Sequence, residues 1–243
     1  SEMCIRDRLK GMTRFDAENS LHDPLTMGAM MIRHKQADLC ISGNLTNTAK
    51  VLQTAIQLVG LKKNHKTVSG YILLISPDDE KVFAFADCSV IPRPTPQQLV
   101  DIAIDTAENY SRLTNIEPRA AMLSFSTSQS ADHEMTLKVR QAVQLAKQQK
   151  PELILDGEVQ FDAAIVPKVF RQKAPNCRLE GRANVFVFPS LNAANIGYKI
   201  ARYLVGYKGV GPVLQGLNGN MQSISIGCCT EDIINLALIA SCS

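Results

Sequence analysis

The chain has 243 residues, 45% of them hydrophobic and 20% charged, with a formal net charge of +3. That length accommodates one large or two modest α/β domains with a core of ordinary size. The charge is too small to argue for nucleic acid, though it is compatible with a local pocket for anions.

The N-terminus is charged rather than apolar and does not read as a secretory signal. No run approaches the ~20 apolar residues needed to span a bilayer. Leu25 to Ile32 is an apolar, Met-rich helical pattern, and Ala37 to Ile41 reads as a short buried strand. The loop Ser42-Gly43-Asn44 leads into Thr46–Val59, whose apolar residues at Ala49, Leu52, Ala55, Ile56 and Val59 predict a helix closed by Gly60. Val68–Ile75 and Lys81–Phe85 predict strands joined by the turn Ser76–Asp79. Thr95-Pro96-Gln97-Gln98 reads as a capping box with proline in the first helical turn. Ala120–Phe125 predicts a strand, followed by a polar loop, Ser126–Asp132, and a helix ending at Pro151. Leu153–Leu155 and Asn184–Phe188 predict further strands; Asn195–Leu204 predicts a helix after an Asn cap, and Glu231–Ala240 one capped by Thr230. Strands alternating with helices imply an α/β fold with a largely parallel sheet.

The seven cysteines, Cys4, Cys40, Cys88, Cys177, Cys228, Cys229 and Cys242, form no C-x-x-C pair, and the four histidines are scattered. Neither a zinc site nor a disulfide framework is indicated, and reduced thiols in the cytosol are expected. Gly211 to Gly216 has the G-x-x-x-x-G spacing but continues Leu217-Asn218, so nothing would reach the β/γ-phosphates of a nucleotide. Gly209-Val210-Gly211 lacks the third glycine of a dinucleotide fingerprint. Asp156, Glu158 and Asp162 form an acidic run that a hard metal ion could use, although such runs also cap and turn.

Two stretches carry a stronger signal. Gly209 to Asp232 reads GVGPVLQGLNGNMQSISIGCCTED, and Ala183 to Leu204 reads ANVFVFPSLNAANIGYKIARYL. Together they closely resemble the C-terminal signature of the phosphate acetyltransferases (phosphotransacetylases), in particular the ethanolamine-utilisation type. SGNLTNTAKVLQTA from Ser42, FADCSV from Phe85, SFSTSQS from Ser124, DGEVQFD from Asp156 and Lys173-Ala174-Pro175 extend the resemblance. It begins near His22 and reaches Ala240. Residues 1–19 are expected to be a non-native or disordered leader, and the first domain is expected to lack its N-terminal part.

The resemblance implies two α/β domains with an interdomain cleft, similar to isocitrate and isopropylmalate dehydrogenases. The first domain would comprise 20–67 with 211–243, and the second 68–210. The implied reaction moves an acetyl group between acetyl phosphate and coenzyme A (CoA) by direct thiolate attack, with CoA as substrate, no bound cofactor and no metal. Ser225 and Asp232 are the implied catalytic residues. Ser42, Gly43, Asn44, Thr46, Thr48, Gln53, Cys88, Asn195 and Gly216 are the implied substrate-binding residues. A homodimer in the cytoplasm is implied, a bacterial microcompartment being a further setting, with no nucleic-acid or membrane partner.

The residues qualify this picture. Glycine at a strand-to-helix turn lets backbone N–H groups approach an anion. Yet an ordinary aspartate (~3.9) is a weak base for an ordinary thiol (~8.5), so Asp232 is better suited to orient the thiol, or simply favours a helix N-terminus. Cys88 has no Cys–His spacing and is expected to line the cleft. Gln53 and Ile226 stand where the family has arginines. Losing two oxyanion or phosphate partners costs roughly 10⁴ in rate if the effects are independent. The alternative is therefore a non-catalytic acyl-CoA or acetyl-phosphate binding module.

Overall fold

A computed structural model describes residues 13–63, 65–225 and 227–242. The chain divides into two compact units, one built from the described residues before position 64 together with Leu217–Ser241, the other from His65–Gly216.

In the first unit, helix α1 (Arg14–Ser20) is fastened by a capping box: Thr13 Oγ1 accepts the Asp16 N–H and the Asp16 carboxylate accepts the Thr13 N–H, both at 3.1 Å. Residues 13–19, expected as part of a leader, therefore belong to an ordered helix with Ala17 buried. Their apolar content is low, so periodicity did not reveal what the cap residues hold. Helix α2 (Pro24–Arg33) starts from Asp23, whose carboxylate accepts the Thr26 N–H, with proline pre-set at its first position. Strand β1 (Cys40–Ser42) begins later than the apolar run from Ala37 suggests. Helix α3 (Thr48–Thr54) is capped by Asn47 and runs into a π-helical turn, Ala55–Val59, that Gly60 ends at φ 86°. Two elements come from the far end of the chain, strand β8 (Met221–Ser223) and helix α9 (Thr230–Ser241). The core gathers Leu25, Ala29 and Ile32 of α2 with Val51, Ala55, Val59 and Met221. Leu25, Ala29 and Ile32 have the i, i+4 and i+7 spacing that puts apolar residues on one face of a helix, and Val51, Ala55 and Val59 recur every four residues.

The second unit is a six-stranded mixed sheet in the order β5-β4-β6-β3-β2-β7. Its strands are β2 (Ser69–Ile75), β3 (Val82–Ala86), β4 (Arg119–Leu123), β5 (Ile154–Val159), β6 (Val185–Val187) and β7 (Lys208–Gln215). Strands β5, β4, β6 and β3 run parallel, while β2 is antiparallel to both β3 and β7. Short, apolar strands such as Val185–Val187, buried throughout, suit a parallel sheet covered on both faces. Helix α4 (Pro96–Thr114) has the expected Thr95–Gln98 capping box and buries Leu99, Ile102, Ala103, Thr106, Ala107 and Tyr110. The Tyr110 hydroxyl donates to the Val82 carbonyl at 2.9 Å, satisfying its polar end. Helices α5 (Glu134–Gln149), α6 (Phe161–Ile165), α7 (Pro167–Lys173) and α8 (Leu191–Val205) complete the unit.

Two boundaries differ from the sequence reading. Helix α8 begins at Leu191 with the Ser190 hydroxyl accepting the Ala193 N–H, so Asn195 lies inside the helix rather than capping it. The division at residue 211 falls within β7, which stays in the second unit's sheet to Gln215. Gly211 and Pro212 disfavour regular strand pairing. The β2–β7 ladder instead absorbs them in an irregularity, Tyr71 pairing with Val213 and Leu73 with Val210, and a proline is tolerated because β7 is an edge strand.

Candidate active site

Within the first unit, the two segments singled out by sequence meet. Strands β1 and β8 pair in parallel, Ser42 opposite Ser223, and the ladder continues as the Ile224 N–H donates to the Ser42 carbonyl at 2.8 Å. Gly43 then turns at φ 123°, and a Cβ there would lie 2.3 Å from the Ile224 carbonyl oxygen. Glycine is required by this close approach of two backbones, in addition to any approach by an anion. Beyond it, Asn44 and Thr48 are exposed and Thr46 is half-buried. Asn47 accepts the Lys50 N–H at 2.8 Å, which fixes the start of α3. Gln53 is exposed one turn further on, and Lys50, its neighbour at i−3, stands 3.9 Å from the Asp23 carboxylate.

On the β8 side the chain continues from Ile224 to Ser225, whose side chain is exposed. Its hydroxyl accepts the Gly227 N–H at 3.4 Å and its carbonyl accepts the Cys228 N–H at 3.1 Å. The next amide is held by Asp232: Oδ2 accepts the Cys229 N–H at 3.0 Å and the Cys229 thiol at 3.3 Å. Cys229 is the residue from which α9 starts, since its carbonyl accepts the Ile233 N–H at 3.3 Å. The expected cap at Thr230 is thus displaced by one residue. An acid three positions into the helix reaching back to the cap amide is the reciprocal half of a capping box. The spacing Cys229–Asp232 carried that signal, but cysteine is not a usual cap residue. Ile226, read as the site of a missing arginine, lies outside the described residues.

Sequence reasoning also passed over Ser223. It is 3% exposed, its hydroxyl has no partner among the described residues, and it lies 3.2 Å from where a Cβ on Gly43 would stand.

Cys88, Asn195 and Gly216 belong to the second unit. Cys88 does not line an open surface: it is 1% exposed and its thiol donates to the Phe85 carbonyl at 3.2 Å. Burial, followed by the charge of Asp87, raises the thiol well above its usual range, so the expected substrate contact is corrected to a packing role. Asn195 donates to the Cys88 carbonyl at 3.3 Å and so steadies the 86–91 segment. That segment is organised by Asp87, which sequence reasoning missed. Its carboxylate accepts the N–H groups of Gly70, Ser89, Val90 and Ile91 at 2.6–3.1 Å. Burial pushes the carboxyl upward and these four donors oppose it, the net direction being up. Gly216 has φ 87°, and a Cβ there would meet the Thr67 carbonyl oxygen at 2.2 Å. Its structural role is to let the chain pass close beside Thr67.

The acidic run resolves into three separate ion pairs. Asp156 meets Lys147 at 2.7 Å, Glu158 meets Arg140 at 2.8 Å and Asp162 meets Lys173 at 2.7 Å. Among the described residues, no three His, Cys, Asp or Glu side chains gather as a metal site would require, and no helix is long and apolar enough to cross a membrane. Glu158 has a clear local task. Buried itself, it accepts the Ser126 hydroxyl and the Gln129 N–H, both at 2.9 Å, and pins the polar loop before α5.

Comparison with known proteins agrees with the sequence motifs. The family profile described as "Phosphate acetyl/butaryl transferase" matches residues 1–241, so the likeness extends N-terminal of His22, including the first residues read as foreign to it. The phosphate acetyltransferase of Bacillus subtilis is 46% identical over 236 residues, which span 97% of this chain and 72% of that protein. Among solved structures, the EutD phosphotransacetylase from Staphylococcus aureus superposes with a TM-score of 0.90 at 42% identity, covering 99% of this chain and 74% of the other. A branched-chain phosphotransacylase from Enterococcus faecalis shares the fold at 19% identity, with a TM-score of 0.71 over 90% of this chain and 78% of its own. The Ser42–Thr48 loop, the Ser225 turn and the Asp232 helix start thus sit in a chain that belongs to the phosphate acetyl/butaryl transferase family of acyltransferases.

Proposed function

We propose that this chain is a phosphate acetyltransferase that moves an acetyl group reversibly between acetyl phosphate and CoA. The supporting observation is the β1–β8 pairing, which sets the Ser42–Gly43 turn directly against Ile224 and the Ser225 turn. In this reading the loop from Gly43 to Thr48 offers amides and hydroxyls to the phosphate, with Ser42 and Asn44 beside it. Ser225 offers a hydroxyl to the acetyl carbonyl or to the thiol. Asp232 orients the CoA sulfur, as its carboxylate already accepts a thiol from Cys229. The CoA thiolate attacks the acetyl carbon, and the carbon–oxygen bond to phosphate breaks as the tetrahedral oxyanion collapses. Phosphate leaves in a form that the surrounding donors stabilise.

The assay is acetyl phosphate–dependent formation of acetyl-CoA. Ser225→Ala and Asp232→Asn should each lower kcat by about 10²–10³, the usual loss for a donor that acts on the transition state. Rates unchanged in both variants, with CoA still bound, would remove this assignment. A second reading is a binding module that holds acetyl phosphate or acyl-CoA without turnover, favoured by the neutral, exposed Gln53. Gln53→Arg together with Ile226→Arg distinguishes the two: an enzyme short of charge gains rate, since a guanidinium favours the oxyanion over the ground state. A binding module gains none.

The assembly proposed is a homodimer. Helix α8 leaves Ile196, Ile200, Tyr203 and Leu204 at 59, 49, 74 and 82% exposure on i, i+4, i+7 and i+8 positions, an apolar stripe of the sort that a second copy covers. Sedimentation should give a dimer, and Leu204→Glu should weaken it. The proposed setting is the cytoplasm or a bacterial microcompartment, following the ethanolamine-utilisation resemblance.

A further inference from the structure

The second unit holds a cavity that the catalytic reading does not use. Its volume is about 450 Å³, within the ~300–1,000 Å³ typical of small-ligand sites. It sits at the amino-terminal ends of β4 and β5, beside the last turns of α4 and α5. Strands β3, β6, β4 and β5 run parallel, so the Asp87 segment that follows β3 lies at the other end of the strands. Ser225 and Asp232 belong to the first unit.

The walls of this cavity are fixed by hydrogen bonds. Arg178 donates to the carbonyls of Pro151 and Leu153 at 3.3 and 3.4 Å, which holds the turn into β5. Asn184 holds the approach to β4: it donates to the Glu117 carbonyl at 2.9 Å and accepts the Arg119 N–H at 2.7 Å. An ion pair between Lys150 and Glu108 ties the end of α5 to α4. Ala107, Pro118, Leu153 and Ile154 supply an apolar lining.

The charges around that lining do not cancel among themselves. Glu117 and Glu152 each stand two positions before the residues that open the β4–β5 ladder, Arg119 and Ile154, so two carboxylates arrive on neighbouring chains. Glu152 has no hydrogen bond or ion pair among the described residues. Glu117 has one cation, Arg119, at 3.7 Å. Arg112 follows Glu108 by one turn on the same face of α4. Its guanidinium bonds the neutral Asn109 side chain, which leaves its charge and most of its donors unmet.

We propose that this cavity binds a free α-amino acid with a bulky apolar side chain, of the leucine or phenylalanine kind. The ligand carboxylate pairs with Arg112, whose planar fork suits it. The ammonium group is held by Glu152 and Glu117, and the side chain packs against Leu153 and Ile154. A simple amine or a simple carboxylic acid answers only one of the two unmatched charges, whereas a zwitterion answers both. The site is independent of the acetyl-transfer reading and involves no reaction step.

The test is calorimetric titration of leucine, and separately phenylalanine, into the full chain. Three relatives of leucine dissect the contacts: 4-methylpentanoate lacks the ammonium group, 3-methylbutylamine lacks the carboxylate, and glycine lacks the side chain. The expected result is one saturable site per chain, with each of the three binding at least tenfold more weakly than leucine. Arg112→Gln and Glu152→Gln should each weaken leucine at least tenfold. Both side chains are exposed, so the variants should melt near the parent's temperature. Saturating leucine should raise the melting temperature of the parent and not of the variants. Excess CoA and acetyl phosphate should leave leucine bound. The proposal is overturned if neither amino acid saturates a site at millimolar concentration, or if the three relatives bind as well as leucine. Parent-like affinity in both variants overturns it too. Displacement of leucine by CoA or acetyl phosphate would assign the amino acid to the acyltransferase site and equally end the proposal. The acetyl-CoA assay judges the transferase reading separately, so either can fail alone.

Discussion

The sharpest test of the site's construction is Gly43→Ala. A Cβ at this position would lie 2.3 Å from the Ile224 carbonyl oxygen and 3.0 Å from its nitrogen, both backbone atoms that no rotamer change can move. Relief to an ordinary contact of ~3.4 Å requires the two chain segments to separate by about 1 Å. Such a shift stretches the Ile224 N–H bond to Ser42, now 2.8 Å, towards breaking. The backbone adds its own cost, because φ 123° is a conformation that alanine adopts only under strain, worth about 1–3 kcal/mol. With the weakened hydrogen bond at about 1 kcal/mol, the expected destabilisation is about 2–4 kcal/mol. For a chain of this size that corresponds to a melting temperature roughly 4–16 °C lower. A displacement of about 1 Å at Ser225 should also lower kcat/KM by about 10², the cost of comparable misplacements elsewhere. Circular dichroism melts and the acetyl-CoA assay read the two effects. Gly227→Ala is the stability control, since nothing lies within 4 Å of a Cβ there. Gly43→Ala with the parent's melting temperature and turnover would refute the account of how the loop and the Ser225 turn are held together.

Other expectations address the second unit. For Glu158, burial acts to raise the carboxyl, but the hydrogen bonds from Arg140, the Gln129 amide and Ser126 prevail and hold it below the ordinary glutamate value. Its contribution is therefore present above about pH 4.3 and lost as pH falls through the lower folded value. Glu158→Gln should flatten acid unfolding in that range and cost about 3 kcal/mol at neutral pH, measured by urea titration. Thr95→Ala removes the hydroxyl that accepts the Gln98 N–H and should lower stability by about 1 kcal/mol, read from the same titration. Cys88, buried with its thiol pushed up, should resist alkylation in the native protein while exposed Cys229 and Cys242 react, as mass mapping after a short iodoacetamide pulse will show.

Much of the fold was legible because it follows from local rules. The Thr95 capping box, the α2 stripe and the β2–β3 hairpin rest on residue chemistry that acts within a few positions. The failures share a cause. Strand β7 went unassigned: Gly209, Gly211 and Pro212 oppose strand propensity, yet a long ladder with β2 outweighs that local preference. Helix α1 carries one buried residue, so no periodic stripe announced it, and its capping box supplied the signal. Helix α8 was started four residues late because an asparagine was taken as the cap while Ser190, five positions before Asn195, held the first turn.

The site was legible in a different way. Composition and spacing suggest an anion loop at Ser42–Thr48, but nothing local connects that loop to Ser225, some 180 positions later. The connection is a tertiary fact, created when β8 pairs with β1, and sequence could offer it only through resemblance. Where a residue's role depended on burial, the resemblance misled: Cys88 stands in a family-like motif yet is sealed against the Phe85 carbonyl. Where it depended on local geometry, an independent signal was present and passed over, as in the reciprocal spacing of Cys229 and Asp232. That spacing matters for the chemistry. A carboxylate that accepts the cap amide of α9 is held by the helix start it helps to define, so Asp232 is a fixed acceptor suited to aligning a thiol. The alternative role is that of general base for the same thiol. Asp232→Asn separates the two roles. Asparagine keeps an oxygen for the amide and the sulfur, so an aligning residue should retain more activity in that variant than in Asp232→Ala, whereas a base should lose the same in both.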